Sequence, residues 1–357
     1  MNQPKSRTLL AIESSCDETA IAILRGFNEL LVSNISSQAN IHASYGGVVP
    51  EVASRNHLAD LPPMIPDALK CANLTIHDID AFAATVGPGL APALLVGLSH
   101  AKGLAIGRNR PFFAINHIEG HLLSPFFGCS VIPEHIGLIL SGGHTLLLYV
   151  KSFGSYAVVG KSIDDAAGEA FDKVAKLLNI PYPGGALLDE LAEKGNPKAF
   201  DLPRSMLHSR DFNFSFSGLK TAVRYLLEKE NIETAEAKAN LCASFREAVV
   251  DILVAKSLRL MQEKNLHILG VSGGVAANAR LRQRLLAESL RIGFEIHFAP
   301  EGMRMDNAAM IAYVAAHRLA SSVNHPHTFT SELDNDIQPR LDWREAYAPS
   351  SQRGYIN

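Results

Sequence analysis

One hairpin is written twice in this chain. The first copy is Thr8-Leu-Leu-Ala-Ile-Glu-Ser-Ser-Cys-Asp-Glu-Thr-Ala-Ile-Ala-Ile23, and the second is Ile136-Gly-Leu-Ile-Leu-Ser-Gly-Gly-His-Thr-Leu-Leu-Leu-Tyr-Val150. Each reads as an apolar strand, a tight turn of small and polar residues, and a second apolar strand. One turn holds Ser14, Ser15, Asp17 and Glu18; the other holds Ser141, Gly142, Gly143 and His144. Glycines let backbone N–H groups approach a phosphate, and carboxylates handle a cation or a proton. A single Ser-Gly-Gly turn is common in ordinary hairpins. Two copies about half a chain apart predict a duplicated α/β fold with a nucleotide cleft between its halves.

A third glycine turn supports that reading. Leu266-His-Ile-Leu-Gly-Val-Ser-Gly-Gly-Val-Ala-Ala-Asn278 runs from a strand through Gly-Gly into a helix expected to begin near Ala276. A helix N-terminus is electropositive and suits a phosphate or a nucleotide.

The chain has 357 residues, long enough for two lobes rather than one small core. Apolar residues make up 47% and charged residues 19%, a globular composition. The net charge of −3 argues against a nucleic-acid binder that works through an overall positive field; a bound nucleic acid would need a local patch or a partner. Cys16, Cys71, Cys129 and Cys242 have neither finger nor redox-pair spacing, as expected of a reduced cytoplasmic protein. The apolar run after Lys5 and Arg7 stops at Glu13, too short for a signal peptide. Segment 81–107 is broken by glycines, prolines, His100 and Lys102, so no membrane span is expected.

Strands are predicted near 8–13, 19–24, 30–36, 80–86 and 111–115, with helices over 50–71 and 90–106. A second series has strands near 136–141, 144–150, 156–162, 267–272 and 294–298. Its helices lie near 169–179, 184–194, 217–230, 235–264, 275–291 and 304–321. This alternation implies two mixed-sheet lobes, expected over 1–130 and 131–347, with a mobile tail over 348–357.

His117 and His121 are four apart, so on a helix both imidazoles share one face and can reach one ion. Two helix histidines satisfied within the protein remain the alternative. A zinc peptidase of the His-Glu-x-x-His type carries its Glu directly after the first His. Here Glu119 comes two residues on, toward the other side, so the peptidase's general base is missing.

The linear motifs carry a specific resemblance. They are Glu13-Ser-Ser-Cys-Asp-Glu-Thr19, Ser44-Tyr-Gly-Gly-Val-Val-Pro-Glu-Val-Ala-Ser-Arg-Asn-His57, Asn116-His-Ile-Glu-Gly-His121, Ser141-Gly-Gly-His-Thr145, Gly168-Glu-Ala-Phe-Asp-Lys173 and Ser272-Gly-Gly-Val-Ala-Ala-Asn278. The turns resemble the phosphate and adenosine motifs of the actin, sugar kinase and Hsp70 superfamily. The full set, spanning roughly 8–345, resembles the tRNA adenosine threonylcarbamoyltransferases of the bacterial TsaD type, a glycoprotease-like family.

That resemblance implies a duplicated two-lobe actin-like ATPase fold. It implies transfer of a threonylcarbamoyl group from threonylcarbamoyl-AMP to N6 of the tRNA adenosine beside the anticodon, in tRNAs reading ANN codons. It assigns Asp306 as the third ligand beside His117 and His121, for one divalent metal, iron first and zinc as the alternative. Leu140, Ser141, Gly142, Gly143 and His144 are expected at the phosphate and carbamoyl group. Asp172, Gly185 and Asp189 are expected at the ribose, and Asn278 at the adenine. Asp17 is the candidate catalytic group, with Glu18 as alternative. Segment 41–57 is a candidate lid or substrate rim. Implied partners are tRNA, a TsaB-like paralogue, a TsaE-like small ATPase and an upstream threonylcarbamoyl-AMP synthase.

Arg204, His208, Arg210, Lys220 and Arg224 around Phe212, Phe214 and Phe216 are candidate tRNA contacts, but the alternating phenylalanines suit a core better than a stacking surface. Arg280, Arg282 and Arg284 read as a solvated helix face. The competing readings are a metallopeptidase and a nucleotide-hydrolysing or scaffold protein of the same fold.

Overall fold

The computed structural model describes residues 6–181, 183–230, 232–324 and 332–341. The expected tail over 348–357 lies outside the described residues. The first elements are β1 (Thr8–Glu13), β2 (Glu18–Arg25), β3 (Glu29–Ser37), α1 (Ala39–Ala43), α2 (Pro50–Cys71), β4 (Ala81–Gly87), α3 (Ala91–Arg108), β5 (Phe112–Asn116) and α4 (His117–Leu123). There follow β6 (His135–Leu140), β7 (Thr145–Ser152), β8 (Ser155–Lys161), α5 (Ala167–Leu177), α6 (Gly184–Ala192), α7 (Ser217–Lys229) and α8 (Ala235–Lys264). The chain continues through β9 (Ile268–Ser272), α9 (Ala279–Ile292), β10 (Glu295–Phe298) and α10 (Ala308–Asn324).

The duplication is visible in the sheets. The first runs β3-β2-β1-β4-β5 and the second β8-β7-β6-β9-β10. In each, the hairpin strands pair antiparallel, and the next two strands join parallel to its first strand. Register fixes both turns: Glu13 faces Ala20, and Leu140 faces Thr145. Strands β1, β4, β5 and β6 are buried along their whole length, which is why they read as continuous apolar runs rather than alternating ones.

The chain divides into one unit of residues 1–132 and 300–357 and another of 133–299. The last helix therefore belongs to the first unit, not to a lobe continuous over 131–347. The reason is packing. Every residue of α10 from Ala308 through Ala315 is fully buried, and the helix lies along β1, β2 and α4. A helix apolar all round needs cover on every side, and the first unit supplies it.

Two helix starts fall later than expected. Asn278 caps α9, its Oδ1 accepting from Leu281 N at 2.9 Å, so a short 3₁₀ turn over Gly274–Ala277 precedes that helix. Asn307 caps α10 likewise, accepting from Met310 N at 2.9 Å.

Candidate functional site

In the first unit, the Asn116 side chain accepts from the N–H groups of Ile118 (2.8 Å) and Glu119 (3.3 Å) and so starts α4. One turn later His121 stands beside His117, the rings edge-on with centroids 4.8 Å apart. Asp306, two residues ahead of α10, closes the group. Its Oδ1 lies 3.0 Å from His121 Nε2 and 3.4 Å from His117 Nε2. The three ligand atoms lie within 4.8 Å of one another. His121 Nδ1 is buried with no hydrogen-bond partner among the described residues.

Behind His117 sits Glu13, the last residue of β1. Its Oε2 is 3.1 Å from His117 Nδ1. Thr85 donates to the same oxygen, and Ser15 N–H donates to Oε1 at 2.6 Å. A carboxylate behind an imidazole fixes the tautomer and turns Nε2 forward, as in metal sites. Glu13 was legible only as an acidic residue closing an apolar strand, and its role was missed.

The electrostatics agree with that pairing. Burial opposes charge on His117, but Asp306 and Glu13 outweigh it and raise its pKa well above the usual imidazole value. Burial works against Asp306 too, yet His117 and His121 hold its carboxyl well below the usual range. Two imidazole nitrogens and a carboxylate, brought together and backed by a second carboxylate, fit a divalent transition metal. Glu119 turns away into an ion pair with Arg318 at 2.9 Å.

Asp17 and Glu18 lie at the β1–β2 turn of the same unit. Burial, then the charges of Asp306 and Asp17, push the Glu18 carboxyl up to about 9. Glu18 therefore keeps its proton through neutral pH in this arrangement.

The second unit gathers the other predicted residues. At the end of β6, Ser141 N–H donates to His144 O at 2.9 Å, and His144 N–H donates to Ser141 Oγ at 3.1 Å. Gly142 and Gly143 are exposed, and a Cβ on either would meet nothing within 4 Å. Beneath them the backbones crowd. A Cβ on Gly273, whose φ is +90°, would sit 2.4 Å from Leu140 O, and one on Gly168 would sit 2.9 Å from Ser141 O. Thus β6, the start of α5 and the turn after β9 meet at residues 140–142.

Asp172 Oδ1 accepts from Gly184 N (3.1 Å) and Gly185 N (2.9 Å), joining two predicted residues at the start of α6. Burial raises the Asp172 pKa against these two bonds. Asp189 Oδ1 accepts from Asn278 Nδ2 at 2.7 Å and from Arg246 Nη1 at 2.8 Å. Asp189 and Asn278 are therefore joined as well.

A family model described as TsaD, tRNA N6-adenosine threonylcarbamoyltransferase, matches residues 29–313. The chain belongs to the TsaD family. TsaD relatives bearing that enzyme name include one from Pelobacter propionicus, 47% identical over 94% of this chain and 97% of its own length. Another, from Polynucleobacter asymbioticus, is 46% identical over 94% of this chain and 98% of its own. Among solved structures, HypF from T. kodakarensis gives a TM-score of 0.60 at 15% identity, over 89% of this chain and 48% of HypF. Component A of the Acidaminococcus fermentans (R)-2-hydroxyglutaryl-CoA dehydratase gives 0.54 at 16% identity, over 89% of this chain and 100% of its own. These likenesses show the shared actin-like ATPase fold.

The phenylalanine run takes the core role its alternation favoured, and one expectation about the surface fails. Phe212, Phe214 and Phe216 are buried in the second unit's core, with Phe214 and Phe216 stacked 6.1 Å apart, so they offer bases no platform. Arg280 and Arg284 are not a solvated face. Both reach Glu247 of α8 at 2.6 Å, while Arg282 lies over the Phe298 ring at 3.9 Å. Arg204 is held by Asp251 at 3.1 Å, whereas His208, Arg210 and Arg224 are exposed. No helix among the described residues is long and apolar enough to cross a membrane.

Proposed function

We propose that this chain, a tRNA N6-adenosine threonylcarbamoyltransferase, takes threonylcarbamoyl-AMP as its donor and works with a divalent metal, iron first. The observation that carries the proposal is the His117–His121–Asp306 group backed by Glu13. His117, His121 and Asp306 would hold the ion, which when bound supplies Lewis-acid stabilisation of developing negative charge.

The reaction joins adenosine N6 to the carbamoyl carbon, breaks the bond from that carbon to the phosphate oxygen, and releases AMP and the N6 proton. Adenine N6 is a poor nucleophile because its lone pair is delocalised into the ring. Asp17 accepts its proton; Glu18, whose carboxyl burial pushes up to about 9, takes that role only once it has been ionised. In the second unit, Leu140, Ser141, Gly142, Gly143 and His144 take the phosphate end of the donor, because the turn presents glycine backbone without side-chain cover. Asp172, Gly185 and Asp189 take the ribose, and Asn278 the adenine. A tRNA substrate supports a cytoplasmic enzyme. A TsaB-like paralogue, a TsaE-like ATPase and an upstream threonylcarbamoyl-AMP synthase complete the system, and the net charge of −3 gives a partner reason to supply the basic surface tRNA needs.

The test supplies unmodified tRNA, the donor and the partners, and reads nucleosides by mass spectrometry with Asp306→Ala alongside. Modified adenosine from the native chain alone, with metal lost from the variant, is the expected result. Product from both removes the metal's role. Product from neither, beside a working control enzyme, overturns the donor and metal reading.

A further inference from the structure

The turn that carries Asp17 is held by its peptide carbonyls. Leu90 N–H donates to Ser15 O at 2.8 Å, and Gln38 N–H donates to Asp17 O at 3.0 Å. Between them, His57 Nε2 lies 2.9 Å from Cys16 O. A carbonyl can only accept, so His57 carries its proton on Nε2. At the far end of the same buried patch, Val49 N–H donates to His42 Nδ1 at 3.3 Å. An amide N–H can only donate, so His42 Nδ1 is bare and its Nε2 carries the proton.

The middle of the patch follows from its two ends. His42 Nε2–H donates to Gln38 Oε1 at 3.2 Å. The Gln38 amide then presents Nε2 to His57 Nδ1 at 3.3 Å and to Ala53 O at 3.3 Å. Thr19 Oγ1 closes on the same His57 nitrogen at 2.7 Å. The line from Val49 through His42, Gln38 and His57 to Cys16 thus runs one way, with Asn56 Nδ2 also donating to Gln38 Oε1 at 3.3 Å and the Thr19 hydroxyl, 3.3 Å from Asp60 Oδ2, sharing His57 Nδ1 with Gln38. His42, His57 and Gln38 are all buried, with relative exposures of 0%, 0% and 1%. Burial lowers the His57 pKa against the Cys16 carbonyl and the nearby carboxylates, which keeps the neutral form this direction needs.

His42 also holds loop 45–49 by its backbone, because its carbonyl accepts from Tyr45 N at 3.0 Å and Gly47 N at 3.3 Å. The tip of that loop is open: Tyr45 is 62% exposed, and a Cβ on Gly46 or Gly47 would meet nothing within 4 Å.

We infer that His57 is a positioning residue for the transfer reaction, fixing the Asp17 turn through Cys16 O and tying that turn, by way of Gln38 and His42, to loop 45–49. This rests on Asp17 acting in transfer, as proposed above. A buried network with every member satisfied has one low-energy arrangement. Displacing the loop therefore shifts the carbonyl that orients Asp17 and Glu18.

Two variants of similar polarity and different reach separate positioning from bulk. In His57→Gln the amide nitrogen reaches the place of His Nε2 and can still donate to Cys16 O. In His57→Asn it stops one bond short. His57→Gln should keep kcat within about threefold of native, while His57→Asn should lose about tenfold or more with KM for the donor unchanged. Hydrogen–deuterium exchange supplies a readout independent of activity: His42→Leu, which does not touch the turn, should speed exchange over residues 14–19. Equal kcat for the Gln and Asn variants overturns the inference, as does unchanged exchange over 14–19 in His42→Leu. A native chain without transfer activity would count against the function reading, while the exchange result would still decide the coupling.

Discussion

At the scale of single residues, Glu13 and Asp17 are close in sequence but do different work. Glu13 never needs to touch a ligand. Its Oε2, 3.1 Å from His117 Nδ1, directs the opposite ring nitrogen toward Asp306. Glu13→Gln removes that charge while nearly keeping the shape, so metal affinity should fall about tenfold or more, measured by competition with a chelator. Unchanged affinity would mean that packing alone orients His117. Asp17 is the group expected to take the N6 proton, so Asp17→Asn should abolish transfer while leaving threonylcarbamoyl-AMP binding intact by calorimetry. Equal loss of both would leave Asp17 a binding residue only. The histidine pair was readable because four-residue spacing on a helix is a local signal. Asp306 lies 185 residues from His121 and was reachable only through family resemblance. Glu13 gave too little, since one acidic residue ending a strand does not say which imidazole it will meet.

Elements fix what residues alone cannot. The two hairpins were legible because continuous apolar strands around a polar turn have few other solutions, and both sheets repeat one strand order. The close approach of the β6–β7 turn to the turn after β9 was not legible, because it depends on β6 pairing parallel with a strand more than 120 residues on. That approach separates two glycines of similar sequence context. Gly273→Ala forces a Cβ to within 2.4 Å of Leu140 O at φ +90°, and should cost about 1–3 kcal/mol along with donor binding. Gly142→Ala meets nothing within 4 Å, so it should leave the unfolding midpoint nearly unchanged and weaken donor binding alone. Thermal unfolding beside a binding isotherm separates the two. A Gly142 variant that binds normally would remove the turn from the donor site. The phenylalanines of segment 212–216 teach the converse lesson: alternation near basic residues favours a buried strand-like run over a stacking surface, and only burial decides.

For the whole molecule, the point least visible in sequence is where the last helix goes. Apolar content alone says that α10 is buried but not under which sheet; the first unit claims it across the whole of segment 133–299. Each unit holds a buried histidine of the same kind, the first unit's brought by this return. His317 on α10 is in the first unit and His135 at the start of β6 in the second. Burial depresses both imidazoles to about 4 from 6.5, against a carbonyl bond that opposes the shift in each. The sign follows from proton counting. Between those two values an unfolded histidine takes up a proton that the folded one refuses, so the unfolded state gains. The stabilisation is whole above about pH 6.5 and falls as the pH drops toward 4, by at most about 3 kcal/mol for each histidine. Glu18 and His117, both raised, act the other way in this window, so the share of His317 is read as a difference: between about pH 7.5 and about pH 5, His317→Leu should lose less of its unfolding midpoint, or gain more, than the native chain. A variant with the native pH slope would show that other groups carry the acid sensitivity, and that proton uptake at His317 does not weaken the docking of α10.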